Sequence, residues 1–257
     1  AHPTIGRNMK ETLNPADRLR SHSCNEPKGY IFDYGGTLDT CGNHWGMVLW
    51  HGYQRHDIPV TEDEFREAYV FAERKLGREP IIRPDFTFRK TLATKLRLEM
   101  GYLQAKGMWD VGQFSLEHEL AQVLDDLYAG VKATTAHSRE VLEKLRQRCP
   151  MVLVSNFYGN IHQVLNEFDL DGLFDSIIES AVVGVRKPDP AIFTLGVKAL
   201  GMAAEDTVVV GDSYTKDIVP AHAAGCHTVW FKGEPWTEEI FDESIPDRII
   251  TDLSDLL

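Results

Sequence analysis

Short apolar runs separated by helical stretches constrain the fold of this chain more than any other feature of the sequence. The runs that are typical of strands are 29–33, 151–155, 176–179, 207–211, 227–231 and 248–250. Strands that are apolar along their whole length indicate a parallel sheet that is covered on both faces. The sequence therefore predicts an α/β fold, with a parallel sheet core and helices on both faces.

The segment between the first two predicted strands is helical in pattern throughout. Thr61 and Glu64 form a capping-box pattern at the start of one of its helices. Apolar residues at helical spacing predict helices over 45–56, 61–76, 87–106 and 115–129. We therefore expect a helical subdomain over residues 42–134, inserted into a core that residues 29–41 and 135–257 form.

After residue 136 the pattern alternates between helix and strand. Asp189 is predicted to cap a helix that starts at Pro190 and ends just before Gly201. The other helices predicted for this half are 138–148, 161–168 and 215–224. Residues 1–28 are polar and contain three prolines, so they are predicted to form an N-terminal arm.

Charge and composition exclude several classes of partner. The formal net charge is −12, with 27 basic and 39 acidic residues, so we expect no nucleic-acid partner. No apolar run approaches the roughly 20 residues that span a bilayer, so we expect no membrane insertion. The four cysteines show no C-x-x-C spacing, and no secretory signal is apparent. These features favour reduced thiols and a cytoplasmic protein.

Polar residues stand where the predicted central strands end. Asp33 and Asp212 each follow an apolar strand, Ser155 ends another, and Asp217 lies five residues after Asp212. Ligands of open α/β sheets bind beyond the carboxyl ends of the strands, so these side chains are expected to converge. Converging carboxylates repel one another unless a cation joins them. Oxygen ligands without histidine or cysteine favour Mg²⁺.

A hydroxyl and a lysine complete this predicted anion site. Ser155 faces the same crevice, and Lys187 precedes a helix from which its charge could reach in. Phosphoryl transfer fits such a site best, because that reaction depends on positioning and on charge stabilisation. A carboxylate such as that of Asp33 is a competent phosphoryl acceptor, and its product is an aspartyl-phosphate.

Four motifs in order carry a family resemblance that spans nearly the whole chain after residue 28. They are FDYGGTLD at 32–39, VSN at 154–156, RKPDP at 186–190 and GDSYTKD at 211–217. With these motifs the chain resembles the haloacid dehalogenase-like hydrolase superfamily. The resemblance implies a Rossmann-like core, and it implies that the helical segment 42–134 is a mobile cap over the site.

The resemblance also implies a role for each acidic residue of the motifs. Asp33 would be the nucleophile and a Mg²⁺ ligand, and Asp212 would be the second carboxylate ligand. The backbone carbonyl of Gly35 would be a third metal contact. Asp217 would hold metal-bound water or the Lys187 ammonium.

The same resemblance assigns the phosphate and substrate contacts. Ser155 and Lys187 would bind the oxygens of the transferring phosphoryl group. Thr37 would brace the turn after the nucleophile. Thr37, Gly36 and Asn156 are the predicted substrate-binding residues.

Gly35 departs from the family pattern. Phosphatases of the family carry a second aspartate at this position, which protonates the leaving oxygen and then activates water. General acid–base help is typically worth about 10²–10⁴-fold in rate. Either a residue near the cap, such as His44, His51 or His56, replaces this acid, or the leaving group needs no proton.

The sequence leaves three functional hypotheses open. The first is a Mg²⁺-dependent phosphatase, monomeric or homodimeric, that acts on a small phosphorylated metabolite through Asp33. The second is a phosphonatase-like C–P hydrolase in which a cap lysine, for which Lys75 is the candidate, forms an imine. The third is a binding protein on a catalytically impaired scaffold, which only Gly35 favours. A dehalogenase is disfavoured, because GDSYTKD retains the aspartates of a metal site.

Overall fold

The structure, a computed structural model, describes residues 27–257. The arm predicted for residues 1–28 therefore lies, apart from its last two residues, outside the described part of the chain, as does Cys24. Among the described residues, no helix combines the length and the apolar character needed to cross a bilayer. The three described cysteines, Cys41, Cys149 and Cys226, are free thiols.

Six parallel strands form one sheet, and all six match the predicted runs to within a residue. They are β1 (Gly29–Phe32), β2 (Met151–Ser155), β3 (Ser176–Glu179), β4 (Thr207–Gly211), β5 (His227–Phe231) and β6 (Arg248–Ile250). The strand order is β3-β2-β1-β4-β5-β6, so β1 lies between β2 and β4. The predicted α/β fold with a Rossmann-like parallel core is confirmed.

The two faces of the sheet are buried by different helices, because neighbouring residues along a strand point to opposite faces. On one face, Ile31 packs with Val154 and with Phe193 of α7 (Ala191–Leu200). On the other face, Phe32 and Leu153 join a larger apolar cluster that extends into the helices between β1 and β2. Residues of β1 and β2 are therefore apolar in both directions.

Four helices occupy the chain between β1 and β2. They are α1 (Trp45–Arg55), α2 (Glu62–Arg78), α3 (Phe88–Ala105) and α4 (Gln113–Arg146). The predicted capping box opens α2: Thr61 N–H donates to Glu64 Oε2 at 2.8 Å, and Glu64 N–H donates to Thr61 Oγ1 at 3.2 Å. The helical content predicted for this segment is confirmed, whereas its boundary at residue 134 stays a prediction.

The prediction of two separate helices at 115–129 and 138–148 is wrong, because α4 runs through both. Its buried stripe continues after Val131 through Thr135 and Ser138, which are both fully buried. Thr135 Oγ1 donates to the Val131 carbonyl at 2.8 Å, and Ser138 Oγ donates to the Leu38 carbonyl at 2.8 Å. Hydroxyl groups form the buried stripe here, so an apolar periodicity does not detect it.

The second half of the core contains short helices: α5 (Ile161–Glu167), α6 (Ser180–Val183), α7 and α8 (Val219–Ala223). The helix predicted at 215–224 is instead a π-helical turn over Tyr214–Ile218 followed by α8. Asp189 Oδ1 accepts from Ala191 N–H at 2.9 Å, which is the bond expected of the predicted capping residue, although α7 as assigned begins one residue after Pro190. Gly201 ends α7 with a φ of 67°, as its position predicts.

A proline in the middle of α4 tests the continuity of that helix. Ala133 is exposed and lies in the helix interior, so Ala133→Pro removes its backbone hydrogen bond and clashes with the preceding turn. We expect a loss of about 3 kcal/mol or more in the free energy of unfolding. Urea denaturation with Ala133→Ser as the control measures this loss. Equal midpoints for the two variants would mean that the chain bends at this point.

Candidate active site

The carboxyl ends of the three central strands meet at one cavity of about 460 Å³. Asp33 follows β1, Asp212 follows β4, and Ser155 is the last residue of β2. Asp33 N–H donates to the Val210 carbonyl at 3.0 Å, which extends the pairing of β1 with β4 by one residue. Because of this pairing, the two aspartates leave the sheet side by side and both line the cavity.

Lys187 joins two of the carboxylates from the cavity floor. Its ammonium lies 2.8 Å from Asp33 Oδ1 and 2.6 Å from Asp217 Oδ1, and its side chain is 2% exposed. Burial by itself would lower the pKa of Lys187, but Asp217 and Asp33 raise that pKa above its usual value. Lys187 is therefore a fixed positive charge.

Asn156 holds the backbone of Lys187. Its Oδ1 accepts from Lys187 N–H at 2.9 Å, and its Nδ2 donates to the Lys187 carbonyl at 3.0 Å. Asn156 also lines the cavity, and both ends of its amide bond to the backbone of Lys187. The structure therefore places Asn156 as a positioning residue for Lys187, and the predicted contact with substrate stays a prediction.

Thr37 and Gly36 fix the position of Asp212. Thr37 Oγ1 donates to Asp212 Oδ1 at 2.9 Å and accepts from Asp212 N–H at 3.0 Å. A Cβ at Gly36 would lie 2.5 Å from the Asp212 carboxylate oxygens, and Gly36 has a φ of 96°. Only glycine fits here. Thr37 is fully buried behind Asp212, so in this structure it braces the site.

Three carboxylates form a cluster whose chemistry fits a divalent cation. Oxygens of Asp33, Asp212 and Asp217 all lie within 4.8 Å of one another. Burial, then Asp217 and Asp33, raises the pKa of Asp212 well above its usual value. Burial above all raises the pKa of Asp217 to about 6, against the opposing effect of Lys187. One ammonium does not offset two buried carboxylates and a partly buried third, and a hard cation such as Mg²⁺ would do so.

Gly35 lines the cavity beside Asp33, and nothing in the fold requires a glycine there. A Cβ at Gly35 would meet no atom within 4 Å, and its φ lies outside the left-handed region. Open space therefore stands where the side chain of an acid would project. The backbone would accept another residue at this position, so packing does not explain the glycine.

Of the three candidate histidines, His44 lines the cavity. Its Nδ1 accepts from Gly46 N–H at 3.0 Å, and burial lowers the pKa of His44 to about 4. His44 is therefore neutral at pH 7 and caps α1. His51 and His56 pair with Glu234 and Asp126.

Sequence reasoning missed Asp39, which links the turn after β1 to the start of α1. Asp39 Oδ1 accepts from Gly36 N–H at 2.7 Å, and Oδ2 accepts from Trp45 Nε1–H at 2.9 Å. Burial raises the pKa of Asp39 to about 7. A buried aspartate that closes a glycine turn could have been noticed in the sequence, but its partner Trp45 could not.

Sequence reasoning also missed the part of the cavity that α2 and α3 line. There Lys95 and Glu73 form an ion pair with an N–O distance of 2.5 Å. Lys95 lies in the buried stripe of α3 between Leu92 and Leu96, and a charged residue at a buried helix position is the signal that could have found it. The predicted candidate, Lys75, instead lines a separate surface groove and pairs with Glu79 at 2.8 Å.

Comparison with known proteins identifies the family. The model of the haloacid dehalogenase-like hydrolase family matches residues 27–225, so the chain belongs to this family. The mouse haloacid dehalogenase-like hydrolase domain-containing protein 3 is 32% identical over 212 residues, which are 80% of this chain and 81% of that protein. A glyceraldehyde 3-phosphate phosphatase from Pyrococcus furiosus is 37% identical over 90 residues, which are 35% of this chain and 38% of that protein.

A solved structure supports the fold independently. The protein YfnB from Bacillus subtilis, described as a HAD-hydrolase bound to magnesium, superimposes with a TM-score of 0.55. The match covers 89% of this chain and 96% of that chain at 19% identity. At this level of identity the comparison confirms the architecture of the chain.

Binding of magnesium to the carboxylate cluster is testable by thermal unfolding. A ligand that binds the folded state alone stabilises it by about 1.4 kcal/mol at ten times its Kd. We expect millimolar MgCl₂ to raise the Tm of the wild type and to leave that of Asp212→Asn unchanged. Asp110→Asn, at an exposed position, is the control and should respond as the wild type does. An equal rise in Asp212→Asn would place the metal elsewhere.

Proposed function

We propose that this hydrolase is a Mg²⁺-dependent phosphatase of a small phosphorylated metabolite, with Asp33 as the nucleophile. The observation that carries the proposal is the position of the Asp33 carboxylate, 2.8 Å from a fully buried ammonium and within a cluster of carboxylates that line a cavity. A nucleophile, a fixed positive charge and a place for a divalent cation are what phosphoryl transfer requires.

The proposed reaction has two steps on the same side chain. An Asp33 oxygen attacks phosphorus, the bond between phosphorus and the leaving oxygen breaks, and an aspartyl-phosphate forms. Water then attacks that phosphorus and releases phosphate, which restores the Asp33 carboxylate. Lys187 and the Ser155 hydroxyl stabilise the charge on the phosphoryl oxygens. Bound between Asp33, Asp212 and the Gly35 carbonyl, Mg²⁺ would supply further charge stabilisation.

We propose residues 42–134 as the cap of this site and residues 29–41 and 135–257 as its core. Tyr69 and Glu73 of α2 and Lys95 of α3 line the same cavity as Asp33, which supports a cap that covers the substrate. A closed cap would exclude bulk water from the phosphoryl transfer.

Relatives support a phosphatase rather than another hydrolase. The Pyrococcus furiosus protein is named as a phosphatase of glyceraldehyde 3-phosphate, and a protein from Aliivibrio fischeri, 27% identical over 197 residues, is named as a phosphoglycolate phosphatase. Both names refer to small phosphorylated compounds. We propose a substrate of this general class.

The phosphonatase alternative is less favoured by the cap lysines. Lys75 lies outside the cavity, on a separate groove. Lys95 lines the cavity, but its pKa is raised by Glu73 and the neighbouring tyrosines against the opposing effect of burial. A lysine held as an ammonium does not form an imine readily.

The nucleophile is tested by Asp33→Asn. This change keeps the shape of the side chain but removes the attacking charge, so we expect turnover of p-nitrophenyl phosphate to fall at least 10³-fold. The fold should persist, because Lys187 keeps its contact with Asp217 at 2.6 Å. Asp110→Asn is the control for the change of residue type. Substantial turnover by purified, folded Asp33→Asn would place the chemistry on another residue.

Gly35→Asp tests whether this position controls protonation of the leaving group. The open space and the ordinary backbone at Gly35 allow the new side chain, so the variant should fold and bind Mg²⁺. We expect turnover of alkyl phosphates to rise by about 10–100-fold more than that of aryl phosphates, because an alkoxide needs a proton in the transition state. Gly35→Asn, which has the same size but no acid, is the matched control. Equal rate changes for both substrate types would show that protonation is not limited by this position.

A further inference from the structure

The cap side of the cavity contains an ion pair, between the nearly buried Lys95 and the partly exposed Glu73, that has no part in the proposed phosphoryl transfer. Lys95 Nζ of α3 lies 2.5 Å from Glu73 Oε1 of α2, and the Lys95 side chain is 11% exposed. Both residues line the cavity that contains Asp33. A substrate whose phosphate is held by the strand ends would therefore present its leaving group to this pair.

Aromatic rings hold Lys95 in place around this pair. The ammonium lies 5.8 Å from the Tyr69 ring centroid and 5.9 Å from that of Tyr158, within the range of a cation–π contact. Burial lowers the pKa of Lys95, but Glu73 and the two tyrosines raise it above its usual value. Lys95 is thus a permanent donor of hydrogen bonds.

The pair has hydrogen-bonding capacity to spare. Glu73 accepts from Lys95 and, at 3.3 Å, from the Tyr158 hydroxyl, which leaves lone pairs of its two oxygens for a further donor. Lys95 carries three N–H groups, and among the described residues Glu73 is its ion-pair partner. The spare capacity therefore favours a polar ligand.

The charge of the pair selects the kind of ligand. A carboxylate at the end of the substrate away from the phosphate would be attracted by Lys95 but repelled by Glu73. An ammonium there would be attracted by Glu73 but repelled by Lys95. A hydroxyl group accepts from Lys95 and donates to Glu73 without any net charge. The pair therefore favours a leaving group that carries several uncharged hydroxyls.

Gly35 restricts the leaving group further, and independently. Position 35 carries no acidic side chain, and His44, the histidine of the cavity wall, has a pKa lowered to about 4 by burial. Asp39 also lines the cavity with a raised pKa, but its two carboxylate oxygens already accept from Gly36 N–H and Trp45 Nε1–H. The leaving oxygen must therefore depart with little help from a proton donor. Among the hydroxyls of a sugar, the anomeric one is the most acidic, so its phosphate ester has the best leaving group.

We propose that the substrate is an aldose 1-phosphate whose ring hydroxyls bind Lys95 and Glu73. In the reaction Asp33 attacks phosphorus, the bond from phosphorus to the anomeric oxygen breaks, and that oxygen keeps the electron pair and takes a proton from water. Hydrolysis of the aspartyl-phosphate then releases inorganic phosphate. This inference rests on the proposed phosphatase function.

Two isomers of one sugar phosphate test the leaving group. Glucose 1-phosphate, as either anomer, and glucose 6-phosphate present similar hydroxyls but different leaving oxygens. We expect kcat/KM of the wild type with Mg²⁺ to be at least tenfold higher for one of the 1-phosphates. Equal values for the isomers overturn the inference. Failure to hydrolyse these compounds and also phenyl phosphate contradicts the proposed function itself.

Variants of the pair test the recognition of hydroxyls. For Lys95→Met and for Glu73→Gln we expect the ratio of kcat/KM for glucose 1-phosphate to that for phenyl phosphate to fall by about 10–100-fold, the value of a hydrogen bond to a charged group. Lys75→Met is the matched control. Lys75 also pairs with a glutamate, Glu79 at the end of its own helix, but it lies outside the cavity. Its ratio should equal that of the wild type.

The double variant Glu73→Gln/Lys95→Met leaves no unpaired charge, and it replaces the single variants if either fails to fold. The ratio should again fall by about 10–100-fold. An unchanged ratio in folded variants overturns the inference, since the pair would then only support the cap. A higher kcat/KM for O-phospho-L-serine than for either glucose 1-phosphate also overturns it, and would mean that the pair binds a zwitterion.

Discussion

The buried ammonium of Lys187 joins the side chains at the carboxyl ends of the central strands. Its side chain is 2% exposed and bridges Asp33, which follows β1, and Asp217, which lies in the turn after β4. Its backbone is fixed by Asn156, which follows β2. The loops of three strands are thus joined through one residue. Removing a partner from a buried ion pair costs more than the pair contributes, because the other charge stays buried and unpaired.

Glycines allow the carboxylates to crowd around this lysine. A Cβ at Gly36 would strike the Asp212 carboxylate, and a Cβ at Gly211 would lie 2.4 Å from Asp217 Cβ. Gly36 lies against a side chain that follows another strand, and Gly211 lies against a side chain of the turn after its own strand, so both positions require glycine. Gly35 differs, since open space surrounds it. Two of these three glycines therefore serve packing, whereas packing does not require the third.

The sheet and its strand ends could be predicted because they depend on local pattern. Strands that are apolar along their whole length, such as β2 and β4, are typical of a parallel sheet that is covered on both faces. Ligands bind beyond the carboxyl ends of such strands, and this rule places Asp33 and Asp212 at the same edge of the sheet. The length of α4 could not be predicted, since Thr135 and Ser138 continue its buried face with hydroxyls that bond to carbonyls. Such bonds depend on contacts that the sequence does not display.

The locations of the charged residues on α2 and α3 were harder still to predict from the sequence. Lys75 and Lys95 both lie on helices with a glutamate partner, at 2.8 Å and 2.5 Å respectively, yet one lines a surface groove and the other the cavity. The difference follows from how α2 and α3 pack against each other. In the sequence, Lys95 is distinguished by its position in the buried stripe of α3, where Glu99 is a second charged residue.

Hydrogen bonds close to the site link α1 to the turn after β1. Asp39 accepts from Gly36 in the turn after β1 and from Trp45 at the start of α1, so a shift of that helix would pull on the turn that carries Gly35. The loop after β5 bonds to the same region: His44 N–H donates to the Glu234 carbonyl at 2.9 Å. A ligand that holds α1 in place would therefore stabilise the geometry of the turn beside Asp33, because the helix and the turn are joined through one buried carboxylate.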